Sequence, residues 1–225
     1  MVKIGQCTLG STPRIAAIVD EFIQVEKLLP LKSRVDLLEM RIDCYQQPID
    51  RVVAYLDEVR TKTAFPMIGT VRENDYTKAD RPTIFKAIMP FVDGIDIELG
   101  TPINDEVIAH AAGKTVIVSE HDFEATPNEA GLGSMVERAL KQGAHIVKIA
   151  TMANSRDDVV RLLQFIHSRQ EPMVAIAMGT LGALSRVIAP LFGSLYTYGY
   201  LTKPVAPGQL SVAELVEETR KYFPA

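Results

Sequence analysis

The chain has 225 residues, 47% hydrophobic and 23% charged, with a formal net charge of −4 and a pI of about 5.6. A chain of this length buries roughly 70% of its unfolded surface and needs neither disulfides nor metals to form a core. Its acidic balance argues against nucleic-acid binding, which usually requires a basic stripe. The N-terminus lacks the apolar core of a signal peptide, and no uncharged stretch is long enough to span a membrane. We therefore expect a cytoplasmic protein that binds neither nucleic acid nor membranes.

Short apolar runs alternate with longer amphipathic ones along the whole chain. The apolar runs predict strands near 3–9, 35–42, 66–71, 93–99, 115–120, 144–150, 172–178 and 194–199. The amphipathic segments predict helices near 13–29, 48–62, 80–90, 102–112, 127–142, 155–169, 181–190 and 211–222. These eight successive strand–helix units predict an α/β fold, a (β/α)8 TIM barrel that forms a single catalytic domain over residues 1–225.

Local signals support this reading. Thr126 with Glu129, and Ser211 with Glu214, have the spacing of capping boxes at helix starts. The alternative fold, a doubly wound open sheet, is disfavoured because no GxGxxG follows the first predicted strand and no GxxxxGK[ST] occurs. The two cysteines show no zinc-binding spacing, and we expect buried or half-buried thiols in a reducing compartment. A disulfide between them remains an alternative that this chain length does not require.

The active site of a TIM barrel lies at the carboxyl ends of its strands, so polar residues late in each apolar run are the candidates for function. They recur at alternate positions, as the period of two in a strand requires. The candidates are Glu39, Arg41, Asp43, Thr70, Arg72, Asp96, Glu98, Ser119, His121, Lys148, Ser185, Arg186 and, in the loop after the last strand, Gln209.

Lys148 and His121 indicate the chemistry. A lysine inside an apolar run is costly to bury as an ammonium ion and easier to keep as a neutral amine, which is a nucleophile toward carbonyls. A histidine at the end of the preceding strand could supply proton transfer. The pair suggests a Schiff-base enzyme.

The same residues also have structural alternatives. Glu39 and Arg41 could form an ion pair in the barrel mouth. The sole role of Asp96 and Glu98 could be to bind neighbouring cations. Lys148 could be a side chain that snorkels to solvent. Their concentration on consecutive strand ends favours a functional site. The other histidines are scattered without an HExxH motif, so we expect no metal.

At these residues the chain resembles the type I 3-dehydroquinate dehydratases (3-dehydroquinases) of the shikimate pathway. The resemblance runs essentially end to end. It rests on short motifs that occur in order: Glu39-Met40-Arg41-Ile42-Asp43, Thr70-Val71-Arg72, Ile95-Asp96-Ile97-Glu98-Leu99, Ser119-Glu120-His121-Asp122-Phe123, Val147-Lys148-Ile149-Ala150, Leu184-Ser185-Arg186 and Ala206-Pro207-Gly208-Gln209.

The resemblance implies dehydration of a small-molecule substrate, 3-dehydroquinate, to 3-dehydroshikimate in aromatic amino acid biosynthesis. It implies an imine between Lys148 and the substrate ketone, with His121 as general acid and base in a syn elimination, and neither a metal nor an organic cofactor. By the same resemblance a homodimer is expected, and the substrate-binding residues are Glu39, Arg41, Arg72, Arg186 and Gln209. Like charges on Arg72 and Arg186 would keep Lys148 unprotonated if they lay close to it.

Two departures from the family pattern bear on the site. Many members carry a glutamate and two glycines soon after the position of Arg72, with that glutamate near the catalytic histidine. Here Glu73 and Asp75 are the candidates to replace it. The lid motif often has a serine before Ala-Pro-Gly-Gln, where this chain has Val205, so we expect weaker substrate binding with the chemistry intact.

Two other functions remain open at this stage. A class I aldolase would also need the lysine and a proton shuttle, and Gly179 and Gly182 could serve the phosphate site that such enzymes place near the last two strands. A non-catalytic binding barrel is supported only by the altered stretch after Arg72.

Overall fold

Eight parallel strands form the sheet in the computed structural model, which describes residues 1–223. The last two residues of the predicted 1–225 domain lie outside the described residues. The strands are β1 (Ile15–Val19), β2 (Leu37–Arg41), β3 (Met67–Thr70), β4 (Gly94–Glu98), β5 (Thr115–Asp122), β6 (Ile146–Met152), β7 (Met173–Met178) and β8 (Thr197–Tyr200). They pair in the order β8-β1-β2-β3-β4-β5-β6-β7. A parallel bridge between Met173 and Ser194 joins the two ends, so the barrel is nearly closed. The predicted (β/α)8 fold is confirmed, and the open sheet is wrong.

Helices and short 3-10 turns alternate with these strands. The helices are α1 (Val25–Leu28), α2 (Ile42–Tyr45), α3 (Ile49–Thr63), α4 (Arg81–Ile88), α5 (Asn104–His110), α6 (Glu129–Lys141), α7 (Arg156–His167), α8 (Ser185–Ile188) and α9 (Val212–Tyr222). The 3-10 turns are Leu29–Ser33, Met89–Phe91, Thr180–Gly182 and Ala189–Phe192. Among the described residues, no helix has the length and apolarity needed to cross a membrane.

Two apolar clusters hold the barrel together. The larger one lies between the sheet and the surrounding helices, where residues such as Leu38, Leu56 and Phe85 are fully buried. The smaller one fills the barrel interior with residues such as Ile68 and Ile117. Because successive side chains of a strand point to opposite faces, a barrel strand such as β1 contributes to both clusters, Ala17 to the outer one and Ile18 to the interior one. This explains why the strand segments read as continuous apolar runs.

The first predicted strand and the first predicted helix are wrong. Residues 3–9 contain a small antiparallel hairpin that pairs Lys3–Ile4 with Cys7–Thr8. The first barrel strand is β1, which lies inside the segment predicted as a helix over 13–29. All five residues of β1 are buried, and an apolar run buried on both faces has no period that distinguishes a strand from a buried helix. Ile4 and Leu9 pack into the interior cluster, so the hairpin contributes to the core at the amino ends of the strands.

One of the two predicted capping boxes is present. Ser211 caps α9, and Ser211 and Glu214 bond each other's backbone amides reciprocally. At α6 the cap is Asn128, whose side chain accepts from the amide of Gly131, so the box predicted at Thr126 is wrong. The Thr126 hydroxyl instead bonds across to β6. Both cysteines are free and half-buried, so neither forms the alternative disulfide.

Candidate active site

A cavity of about 520 Å³ lies at the carboxyl ends of the strands. Its lining contains the two predicted catalytic residues, His121 and Lys148, and the five predicted substrate-binding residues, Glu39, Arg41, Arg72, Arg186 and Gln209. The strand register explains part of this convergence, because Lys148 of β6 lies opposite Ser119 of β5 and His121 lies opposite Ala150. Residues at alternate positions on neighbouring parallel strands face the same side of the sheet, which here is the barrel interior.

Lys148 lies at the bottom of the cavity and is only 5% exposed. Its Nζ is 2.9 Å from Oδ2 of Asp96, 3.5 Å from Oε1 of Glu39 and 4.2 Å from the ring centre of Tyr198. The structure thus places this lysine beside two carboxylates, Asp96 and Glu39. The expectation that neighbouring arginines keep the amine neutral stays a prediction.

Asp96 connects the lysine to the rest of the site. Its carboxylate is fully buried and also accepts hydrogen bonds from Arg72 at 2.7 Å and from the Ser119 hydroxyl at 2.6 Å. Burial alone would raise the pKa of Asp96, but the charges of Arg72 and Lys148 and these hydrogen bonds hold it well below its usual range. The carboxylate is therefore a permanent negative charge beside Lys148.

Arg72 and Arg81 share the carboxylate of Glu98. Nη1 of Arg72 lies 3.2 Å from Oε2 of Glu98, and Nη2 of Arg81 bonds the same oxygen. Burial opposes the charge of Arg72, yet Asp96, Glu98 and Glu39 together raise its pKa. The expectation that Asp96 and Glu98 hold neighbouring cations therefore describes one of their roles.

Sequence reasoning missed Arg81. It begins α4, its side chain is nearly fully buried, and its Nε donates to the carbonyl of Val71 at 2.7 Å. In the sequence, nothing distinguishes a buried arginine at the start of a helix from one that lies on the surface. Tyr198 of β8 was also missed, although its alternation with Tyr196, just before the strand, is a signal that could have drawn attention to the interior face.

Arg186 has the least compensated charge in the cavity lining. Its Nη2 donates to the Pro207 carbonyl at 3.2 Å, its buried Nε has no hydrogen-bond partner, and within residues 1–223 no carboxylate lies within ion-pair distance. Burial lowers the pKa of this guanidinium to about 10. A buried arginine without a counter-ion is suited to bind a carboxylate supplied by a ligand.

Arg41 forms an ion pair, but its partner is not Glu39, which the sequence analysis considered. It forms a two-pronged ion pair with Asp43 at 3.0 and 2.6 Å, so the alternative pairing with Glu39 is wrong. The prediction that Asp43 belongs to the strand is also wrong, because β2 ends at Arg41 and Asp43 lies in α2. The one-turn helix folds the aspartate back onto the arginine that precedes it.

His121 faces the same cavity as a neutral imidazole. Burial and the positive charges of Arg72 and Lys148 lower the pKa of His121 to about 3. Its ring stacks on Phe123 with 5.9 Å between the centroids. Neither ring nitrogen forms a hydrogen bond to another of residues 1–223, so both are available to a ligand. A neutral, desolvated imidazole can accept a proton.

The two acids proposed to replace the family glutamate lie in different surroundings. This residue lines the cavity, and its carboxylate lies 3.7 Å from Nη1 of Arg81. Asp75 is exposed and bonds Lys78 at 2.7 Å on the surface, which removes it as a partner for His121.

The loop after β8 covers one side of the cavity. Gln209 holds this loop together because its side-chain oxygen accepts from the Val205 amide at 2.8 Å. The loop docks on the turn after β7, where the Gly179 amide donates to the Pro207 carbonyl at 3.1 Å. Gly208 has a φ of +70°, and a Cβ there would clash with the carbonyl of Gly179, so only glycine allows this close approach.

The fold and the site together define the class of protein: a TIM-barrel enzyme with its polar centre at the carboxyl ends of the strands. Among the described residues, no group of three His, Cys, Asp or Glu side chains is arranged to hold a metal ion.

Comparison with known proteins identifies the family. The model of the type I 3-dehydroquinase family matches residues 20–221. The chain is 35% identical over 216 residues to the 3-dehydroquinate dehydratase of Methanocella arvoryzae, covering 92% of this chain and 96% of the relative. It is 36% identical over 227 residues to the enzyme of the same name from Methanococcoides burtonii, covering 96% and 97%. The chain belongs to the type I 3-dehydroquinase family, which makes it a 3-dehydroquinate dehydratase, a carbon–oxygen lyase.

Solved structures agree with this assignment. The type I 3-dehydroquinate dehydratase of Clostridium difficile superimposes with a TM-score of 0.84 at 28% identity, covering 98% of this chain and 97% of that one. The 3-dehydroquinate dehydratase of Aquifex aeolicus gives a TM-score of 0.81 at 29% identity, covering 94% and 100%. The resemblance inferred from the sequence motifs is confirmed.

Proposed function

We propose that this enzyme converts 3-dehydroquinate to 3-dehydroshikimate through an imine on Lys148, with His121 as the proton carrier. The observation that carries the proposal is the position of Lys148, buried between two carboxylates in the same cavity as a neutral histidine. A solved relative, the C. difficile enzyme, is described with covalent modified comenic acid, so a member of the family forms a covalent adduct with a small molecule.

In the first step, His121 takes a proton from Lys148, and the free amine attacks the substrate ketone to give a carbinolamine. His121 then returns the proton to the carbinolamine hydroxyl, which leaves as water and gives the protonated imine. The ammonium and the protonated imine each carry one positive charge. Asp96 and Glu39 therefore face the same charge before and after the covalent bond forms, and no other group of the network has to change its ionisation. Carboxylates fixed in place before the reaction stabilise a cationic intermediate without reorganisation.

In the second step, His121 removes a proton from the carbon next to the imine, and the electron pair moves to nitrogen to give an enamine. The imidazolium that forms is disfavoured by the nearby cations that lower the pKa of His121. It therefore passes its proton readily to the departing hydroxyl, which leaves as water. Hydrolysis of the new imine releases the product and the amine. General acid–base catalysis of this kind contributes about 10²–10⁴ in rate.

Substrate binding follows from the charges left unpaired. Arg186 would bind the substrate carboxylate, because its guanidinium has no carboxylate partner within the described part of the chain. Glu39, Arg41 and Arg72 would contact ring hydroxyls through the hydrogen-bonding capacity left after their ion pairs, and Gln209 would close the lid over the ring. These roles are inferred from the family resemblance.

Borohydride trapping tests the mechanism. The protein is incubated with saturating 3-dehydroquinate, reduced, and analysed by intact mass and peptide mapping. We expect an adduct on Lys148, part of it lighter by one water, and none in Lys148→Met. Lys86→Met, which removes an exposed lysine, serves as the matched control and should trap normally. A folded wild-type protein without an adduct at Lys148 contradicts the imine mechanism; adducts with sugar phosphates instead would indicate an aldolase, and binding without turnover a binding barrel.

Three wider features belong to the same proposal: a single domain over residues 1–225, a cytoplasmic location and a homodimer. Light scattering on the purified protein tests the last of these. A homodimer would give twice the chain mass of 24.8 kDa, and a monomer would give that mass itself.

A further inference from the structure

The aromatic ring beneath Lys148 is not explained by the proton transfers described above. Tyr198 lies on β8, is 2% exposed, and lines the bottom of the cavity. The lysine Nζ lies 4.2 Å from the centre of its ring. This distance is well inside the roughly 6 Å within which an aromatic face attracts a cation.

The ring is held in place from below. The Tyr198 hydroxyl donates to the hydroxyl of Tyr196 at 3.2 Å, and the two rings meet edge to face with 5.2 Å between their centroids. Tyr196 is fully buried in the interior cluster. Burial holds the pKa of Tyr198 well above its usual range, so its phenol stays neutral and presents an uncharged π face to the lysine.

The neighbours of Nζ respond differently when the imine forms. The ammonium has three N–H donors, enough for Asp96 and Glu39 with one to spare. The protonated imine is planar and keeps a single N–H, so at most one of the two carboxylates retains its hydrogen bond. The attraction to an aromatic face comes from the ring quadrupole and requires no N–H donor. Tyr198 is therefore the neighbour whose interaction with the cation survives the loss of the N–H groups.

We propose that Tyr198 is a further catalytic residue, whose ring stabilises the cationic imine on Lys148 by direct contact with the reacting nitrogen. The proposal rests on the imine mechanism stated above.

The initial rate of borohydride trapping measures the population of the cationic imine, because the reductant attacks that species. We expect Tyr198→Leu, which removes the π face, to trap about two- to thirtyfold more slowly than wild type at saturating 3-dehydroquinate. Tyr198→Phe retains the face and should restore most of the trapping. If the leucine variant does not fold, Tyr198→Met replaces it with a flexible side chain that fills the space without a ring.

The outcomes separate the two proposals. If wild type forms no adduct, the imine mechanism fails and the role of Tyr198 fails with it. If wild type traps and a folded ring-less variant traps equally fast, the role of the ring is refuted while the imine stands. If Tyr198→Phe is as slow as Tyr198→Leu, the hydroxyl and not the ring is responsible, which also refutes the proposal. A thermal unfolding curve for each variant separates loss of the contact from loss of the fold.

Discussion

Replacing Asp96 with asparagine tests the charge network at its centre. This carboxylate is fully buried and bonds Arg72 at 2.7 Å and Lys148 at 2.9 Å. Asparagine keeps the shape but removes the charge, which leaves two buried cations with less compensation. Breaking a buried ion pair by neutralising one partner costs about 3–5 kcal/mol. In a chain of this size each kcal/mol lowers Tm by about 2–4 °C, so we expect Tm to fall by about 6–20 °C.

An exposed ion pair supplies the matched control. Glu106 bonds Lys86 at 2.6 Å, as short as the pairs of Asp96, but the two side chains are 49% and 40% exposed. Solvent screens such a pair, so Glu106→Gln should leave Tm almost unchanged. Calorimetry on the two variants measures the change in Tm on losing a buried ion pair and on losing an exposed one. The distances between the charged atoms are nearly the same in the two pairs. A loss for Asp96→Asn of under about 3 °C would refute the conclusion that burial makes this network important for stability.

The stability difference between wild type and Asp96→Asn should depend on pH, in a direction set by the pKa of Asp96. A carboxyl whose pKa is depressed by folding contributes stability that is fully present above its unfolded pKa of about 3.9 and is lost as pH falls toward the folded value. Wild type should therefore lose its advantage over Asp96→Asn below about pH 4, by up to about 1.4 kcal/mol per pH unit. Urea unfolding between pH 7 and pH 2.5 measures this difference. A constant gap across that range would show that Asp96 holds no depressed pKa.

Three further substitutions or titrations examine the ligand-binding groups. His121 should stay neutral as pH falls from 8 and gain its proton only near pH 3, because its pKa is lowered to about 3. The ¹⁵N chemical shifts of the imidazole measure this, and shifts that titrate near pH 6.5 would contradict it. Arg186→Met should raise KM by about 10–100-fold with a smaller change in kcat, since a charge-assisted hydrogen bond to the substrate is lost. An unchanged KM in steady-state kinetics would reject the assigned role. Val205→Ser should lower KM by restoring a hydroxyl at the lid, and an unaltered substrate affinity would show that the lid does not need one.

The barrel and most of the site were predictable from local patterns. The strand segments from β2 to β8 carry continuous apolar runs because they are buried on both faces. Within them the period of two brings polar side chains to one face, and the barrel rule places that face at the carboxyl ends. This combination is sufficient to select Lys148 and His121 from the sequence.

The first strand shows where pattern reasoning fails. β1 is a five-residue run of small and branched apolar residues, Ile15-Ala16-Ala17-Ile18-Val19, buried throughout. Its strand state is decided by its pairing with β2 and β8, and these contacts are not encoded in the run itself. The apolar residues of the N-terminal hairpin look like a strand because they also enter the barrel interior.

What the sequence by itself determined is therefore the fold class, the family and the residues that face the cavity, since these depend on periodicity and on motif order along the chain. Only the tertiary structure decided which charges meet. Lys148 is 52 positions from Asp96, and Arg81 reaches the site from a helix start through Glu98. Ion pairing depends on distances of a few ångströms between side chains from different strands. The same holds for the ring of Tyr198, which only barrel closure brings beneath the lysine.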